Sequence, residues 1–347
     1  MSRKLAISRP GVVVPVRVDA TGRNGPTKAQ ARGPRWRRTS HGLYVRADVD
    51  GTEPEQRIVE AAAALPEVGG VTGWAGLRWA GGSWFEGRTG DGADQRPVPL
   101  AVGFHDIRPQ TGIEVTQEHL DHQEMTALDG LPMTTVQRSL GYEMRYAGNL
   151  RNAVVAFCMA AYSDLVSIDD MNAFFDRHRG WDGIRSARAA MALAEENCWS
   201  PQEARMLLVW LLDADLPAPL CNRPVFDRSG RHIGTPDLLD VEAGLVGEYD
   251  GPLHLEGVQR RKDRDREEAF RGVGLEYLMV LTGDLGDRAR TAERMRRARS
   301  RARFEGESRR AWTVEPPSWW IPSFTVEQRR ALTPAQQARV LGYRRTA

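Results

Sequence analysis

The chain has 347 residues, of which 41% are hydrophobic and 27% charged, and its formal net charge is +2. That composition is ordinary for a soluble globular protein of two or three domains. No apolar run approaches the roughly 20 residues that span a bilayer, and the N-terminus lacks the apolar stretch of a secretory leader. The three cysteines, Cys158, Cys198 and Cys221, have neither zinc nor disulfide spacing, which predicts a reducing, cytoplasmic setting.

The small net charge conceals an uneven distribution. Residues 1–46 carry eleven Lys or Arg against Asp19 alone, so the remaining chain is acidic. Residues 288–303 form a second basic block, with eight Arg against Glu293. Two such blocks suggest contact with a polyanion; the plainer alternative is a flexible tail and a solvated helix face. On the first reading the nucleic-acid contacts are Arg35, Arg37 and Arg38, then Arg294, Arg297 and Arg301.

In chain order, Thr27 to Arg32 reads as a short helix stopped by Gly33-Pro34. Trp36 to Val45 alternates around Ser40-His41-Gly42 as a hairpin does. A short helix and a basic hairpin suit part of a winged helix, but the helical part is too short for a full helix-turn-helix. Glu55 to Leu65 reads as a helix, and Gly73 to Trp79 as a second, packed on a small sheet. Residues 97–116 read as strand, interrupted at Arg108-Pro109. Helices then follow at Thr134–Met144, Leu150–Tyr162, Ile168–Arg177 and Gly183–Glu196. This helical middle predicts a connector with its own core that offers a face to a protein partner. His119-x-x-His122 lacks a further ligand at metal spacing and reads as surface.

From Ser200 the pattern becomes α-β-β-β-α-β-α. Ser200 to Leu212 is a helix opened by Ser200-Pro201-Gln202-Glu203, the form of a capping box. Strands are expected at Val225–Phe226, Ile233–Val241 and Leu245–Asp250, then a polar helix at Gln259–Arg271. A buried strand at Leu275–Leu281 and the Arg-rich helix Asp287–Arg303 follow. Beyond Trp312 the chain reads as a strap and a frayed helix.

The densest chemistry lies in residues 235–254, where Asp237, Glu248, Asp250 and His254 fall on a predicted hairpin. A two-residue turn at Glu242-Ala243 sets Asp237 opposite Glu248, and a four-residue loop sets it opposite Asp250. Glu248 and Asp250 share one strand face. Asp240, three residues from Asp237, is expected to face solvent. Like charges opposed across a ladder destabilise it, so the cluster suggests a hard cation such as Mg²⁺ or Mn²⁺.

Residues 200–285 resemble the PD-(D/E)XK nuclease superfamily, and within it the branch of very-short-patch repair endonucleases. The likeness rests on an ordered set: Ser200-Pro201-Gln202-Glu203, Leu216-Pro217-Ala218-Pro219 through Asn222, Pro236-Asp237, Glu248-Tyr249-Asp250-Gly251 with His254, Asp263 and Arg266, and Gly274. The resemblance implies that Asp237 and Glu248 are metal ligands and that Glu203 completes the shell or orients a water. It implies acid/base or phosphate-holding work for His254, a supporting role for Asp263, and a place for Arg266 near the scissile phosphate. The superfamily's lysine two residues after the acid is here Asp250, a departure shared by the repair-endonuclease branch.

Residues 25–45, and residues 54–125 with Thr134-Thr135-Val136-Gln137-Arg138, are more weakly similar to type IV antitoxins of the abortive-infection class. The first helices of their winged helix are not evident here.

The expected architecture is therefore a multidomain α/β protein. Residues 1–50 form a basic, partly winged-helix-like segment, 51–130 a small α+β domain and 131–198 a helical connector. Residues 199–305 form a restriction-endonuclease-like domain, and 306–347 a strap and tail. Two functions follow: a metal-dependent DNA endonuclease in defence or repair, or a DNA-binding, antitoxin-like regulator with an inactive nuclease core.

Overall fold

The computed structural model describes residues 5–342 except Asp91, Asp106, Pro109 and residues 252–256; along 257–263 it describes the backbone alone. The protein is mixed α/β, and it divides into two compact units. One runs to Gly148 and takes in Asp169–Ala187; the other comprises Asn149–Ile168 and the chain from Arg188 onward.

The first unit opens with β1 (Val16–Arg17), β2 (Trp36–Ser40) and β3 (Leu43–Arg46), an antiparallel sheet in the order β1-β3-β2. Gly42, at φ +75°, supplies the left-handed residue of the hairpin turn. The helix expected before it is a single 3₁₀ turn, Gln30–Arg32, cut short by Gly33-Pro34. Next come α1 (Pro54–Ala62), β4 (Gly70–Val71), α2 (Gly73–Trp79), β5 (Val98–Ala101), β6 (Ile113–Thr116), β7 (Met125–Leu128), β8 (Leu131–Thr134) and α3 (Val136–Arg145). The strands β4 to β8 form one sheet ordered β6-β5-β4-β8-β7. Trp74 and Trp79 are core residues whose indole N–H groups donate to Pro97 O at 2.8 Å and Leu128 O at 2.9 Å.

Three helices follow: α4 (Leu150–Tyr162), α5 (Ile168–Arg177) and α6 (Ile184–Met191). The residues expected to form a connector are shared between the units. Helix α4 belongs with the second unit, whereas nearly all of α5 and the start of α6 belong with the first. Phe174 of α5 packs so closely on Gly141 that an added Cβ there would lie 2.6 Å from its ring.

In the second unit α7 (Pro201–Leu208) runs on as a π-helical turn, Val209–Asp213. Then come β9 (Leu220–Cys221), β10 (Val225–Asp227), β11 (His232–Gly234), β12 (Leu238–Asp240), β13 (Leu245–Asp250), α8 (Gly257–Gly272), β14 (Glu276–Leu281) and α9 (Arg288–Arg301). The C-terminal strap holds β15 (Trp312–Thr313), α10 (Val326–Arg330) and α11 (Pro334–Val340). The main sheet has the order β14-β13-β12-β9, and α8 is the crossover that lets β13 and β14 run parallel.

The strand expected over Ile233–Val241 is broken. Pro236 has no N–H to give a ladder, and the chain changes sheets there. Strand β11 pairs with β10 in a small sheet, β11-β10-β15, while β12 pairs with β13. It is β9, not Val225–Phe226, that borders β12 in the main sheet. The two sheets and α8 enclose a core of Val225, Leu239, Val246, Phe270, Leu275, Tyr277 and Trp312.

Asp240 is not solvent-facing: it is only 3% exposed. Its carboxylate accepts from the Ala243 amide at 3.0 Å, which braces the turn, and from Arg299 Nε of α9 at 2.8 Å. The strap is anchored as well. Arg329, 1% exposed, donates to Asp164 Oδ1 at 2.6 Å, Ala161 O at 2.8 Å and Glu196 O at 3.0 Å. The helix expected to fray starts from a capping box at Thr333, as α10 does at Thr325. All three cysteines are buried in this unit, and Cys198 contacts both Cys158 and Cys221.

Candidate active site

Strand register brings the first two carboxylates together. Leu238 pairs with Gly247 and Asp240 with Leu245. Extended by one residue, that register sets Asp237 opposite Glu248. The connection from β12 to β13 is nevertheless four residues long, with Gly244 N–H donating to Asp240 O at 2.9 Å. Asp237 lies just before β12. Its carbonyl accepts from Asn222 N–H at 3.0 Å, and its Oδ2 accepts from Tyr249 N–H at 2.6 Å. Glu248 is 7% exposed and pairs with Arg266 of α8 at 2.9 Å; Arg266 also donates to Thr235 O. Asp237, Glu248, Asp250, Arg266, Tyr277 and Met279 line one cavity of about 200 Å³.

Glu203 joins from α7. Ser200 Oγ accepts from Glu203 N–H at 3.2 Å, as the sequence predicts for a cap. The glutamate side chain reaches one residue further back than a capping box requires. Its Oε2 accepts from Trp199 N–H and from Asn222 Nδ2, each at 2.7 Å. Burial pushes the Glu203 carboxyl above its ordinary value despite those bonds. Burial and then the charges of Glu203 and Glu248 push Asp237 well above the ordinary carboxylate range. The Tyr249 amide and Arg266 oppose that rise. Part of Asp237 still opens to the cavity, but protein surrounds the carboxyl closely enough to penalise its charge.

Asn222 ties the framework together, and sequence reasoning gave it no role. It sits at φ +45°, a left-handed conformation that asparagine tolerates better than most residues. That preference beside a strand end was the available signal. Asn222 Nδ2 also donates to Asn197 O at 2.8 Å, and Asn197 Nδ2 returns bonds to Cys221 O at 2.8 Å and Asn222 O at 3.1 Å.

A basic groove adjoins the acidic cavity and shares Tyr277 and Met279 with it. Arg271 of α8 and Arg294, Arg297 and Arg301 of α9 line it along the β14 edge. Each arginine has a carboxylate beside it. Arg294 pairs with Asp284, Arg297 with Glu293 at 2.8 Å, Arg301 with Glu276 at 2.7 Å, and Arg271 with Glu267 at 2.8 Å. Arg297 and Arg301 remain largely exposed.

In the first unit Arg37 is held by Glu60 of α1 at 2.7 Å and donates to Val49 O, and that ion pair raises its pKa further. Arg38 donates to Ser40 O at 3.1 Å, and Arg35 lies just before β2. His254 lies outside the described residues, and of Asp263 only its place in α8 is described.

Among the described residues, no group of three or more His, Cys, Asp and Glu side chains is gathered to enclose a metal ion. Mg²⁺ rarely needs such a cage, since one or two carboxylates, waters and substrate phosphates usually complete its shell. Asp237 and Glu248 fit that demand: they are hard oxygen donors, and burial makes charge on Asp237 costly without a cation. Among the described residues no helix is long and apolar enough to cross a membrane. No protein-family model, curated protein or solved structure matches this chain.

Proposed function

We propose that the second unit is a divalent-metal-dependent nuclease that hydrolyses DNA phosphodiester bonds. The observation that carries this reading is the cavity in which Asp237, Glu248 and Asp250 meet, with burial opposing charge on Asp237. Asp237 and Glu248 would hold the Mg²⁺ or Mn²⁺. Glu203, fixed by the Trp199 amide and Asn222, stands next to Asp237 to orient a water. Arg266 carries positive charge beside Glu248 and faces the developing charge on the phosphate. His254, outside the described residues, keeps the acid/base or phosphate-holding role that the family likeness implies. When bound, the cation lowers the pKa of a water and acts as a Lewis acid on the phosphoryl oxygen. The basic groove would track the flanking phosphates.

The test is cleavage of single-stranded and duplex DNA with Mg²⁺ or Mn²⁺ by wild type, Asp237→Ala and Glu248→Ala. Cutting by wild type alone is the expected result, and equal cutting by all three would refute the reading.

A second reading is a DNA-binding regulator with an inactive nuclease core. It is favoured by the Arg266–Glu248 ion pair, which offsets that carboxylate's charge without a metal, and by Asp250 where the superfamily has lysine. It predicts salt-sensitive DNA binding, undiminished in both alanine variants, with no cleavage by wild type.

A further inference from the structure

A second cavity, of about 220 Å³, is built onto the framework of the acidic site. Asn222 and Thr235 line it. The same Asn222 donates to Glu203, and the Thr235 carbonyl accepts from Arg266. Four aromatic side chains line it, Trp199 at the start of α7 and Trp319, Trp320 and Phe324 from the irregular part of the strap, and Arg339 of α11 adds a cation. Trp319 is 53% exposed, an unusual position for an indole, while Trp320 is fixed by ring contacts with Phe226 and His232, each at 5.1 Å.

Two polar atoms of these walls are enclosed and have no partner among the described residues: Asn222 Oδ1 and Trp320 Nε1. Such unused groups are costly, and one is an acceptor while the other is a donor. Flat apolar walls with one spare acceptor and one spare donor suit a planar heteroaromatic ring with polar edges. An aliphatic side chain or a lipid tail would leave both groups unpaired. Both atoms are shielded from solvent, so a ring edge reaches them only when the cavity walls shift on binding.

We propose that this cavity takes one unpaired nucleobase of the strand being cut, so that the substrate is single-stranded DNA or a duplex with an extruded nucleotide. The proposal rests on the nuclease reading, because it places the base next to the phosphate-cleaving carboxylates. A paired base cannot reach between these aromatic side chains without leaving its stack, whereas an unpaired one enters without that cost. Stacking on indole tolerates every base, so selectivity for strand state exceeds selectivity for sequence.

The test is binding in EDTA, where no cleavage occurs, of oligonucleotides carrying one 2-aminopurine in single-stranded or fully paired form. The expected result is quenching of the 2-aminopurine in the single strand, with about tenfold tighter binding than to the duplex. Trp319→Ala should weaken single-strand binding about tenfold and abolish the quenching, and Trp319→Phe should restore both. Trp319 is exposed enough for these variants to fold. Unchanged quenching in Trp319→Ala, or equal binding of single strand and duplex, would overturn the proposal. So would free 2-aminopurine nucleotide binding as tightly as the oligonucleotide, because the ligand would then be a small molecule and not a strand. If wild type binds and quenches as expected but cuts nothing with Mg²⁺ or Mn²⁺, the base site stands and the nuclease reading fails.

Discussion

The main-chain N–H of Tyr249 donates to Asp237 Oδ2 across 2.6 Å, so the strand that carries Glu248 also fixes the carboxylate facing it. The two acids cannot drift apart to relieve their repulsion without breaking that bond. Their charge must be met by protonation, by Arg266 or by a bound cation.

Asp237 gives the fold a pH dependence of definite sign. Its folded pKa lies well above the ordinary 3.8, chiefly through burial and then through Glu203 and Glu248. Between those two values the native state holds a proton that the unfolded chain has released. Stability therefore falls as pH rises through that interval. Asp237→Asn keeps an oxygen for the Tyr249 amide and removes the titration. The variant should gain melting temperature over wild type at mildly alkaline pH and lose most of that advantage near pH 4. The same difference at both would contradict the assignment.

Divalent cations should act on the same balance. A cation that binds only the native state at a hundred times its Kd adds about 2.7 kcal/mol of stability. Mg²⁺ or Mn²⁺ should therefore raise the melting temperature of wild type and leave that of Asp237→Ala with Glu248→Ala unchanged. Differential scanning calorimetry reads this directly, and an equal rise in both proteins would exclude these carboxylates as the site.

Arg299→Ala isolates a structural ion pair. It leaves Asp240, 3% exposed, without its cation beneath the β12–β13 turn. Arg299 keeps some solvent exposure, so a loss of about 2–3 kcal/mol is expected, below the value for a fully buried pair. Adding Asp240→Asn should recover part of it by removing the stranded charge. Urea denaturation of the three variants measures the cycle, and a double variant no more stable than Arg299→Ala would count against the pairing.

The α9 arginines should appear in the salt dependence of DNA binding. Arg297→Gln with Arg301→Gln should flatten the slope of log K against log salt by close to two contacts, about 0.9 per phosphate on duplex DNA. An unchanged slope measured by fluorescence anisotropy would remove these residues from the phosphate path.

Much of this arrangement was legible in the chain itself. The alternation of Leu245–Asp250 and the Ser200 cap follow from local patterns, whereas the sequence left Asp237 facing either Glu248 or Asp250 and the strand register decides for Glu248. Local patterns could not show that Pro236 divides one apparent strand between two sheets, because a proline that ends one ladder and a proline at an edge look alike in sequence. Nor could they show Asp240 buried, since its partner Arg299 is remote in sequence and looked like one more member of a solvated basic face. Asn222 and the strap tryptophans escaped for the same reason: their roles arise from long-range contacts without periodicity.

The buried thiols have a practical consequence. Every cysteine of the chain lies in the second unit, and burial, against the bond with Cys198, pushes the Cys221 thiol up to about 11. A chromogenic disulfide reagent can react only when that unit opens, and the first unit contributes no background. The rate of thiol labelling is thus a native clock for the opening of the unit that carries the acidic cavity, readable without any engineered probe.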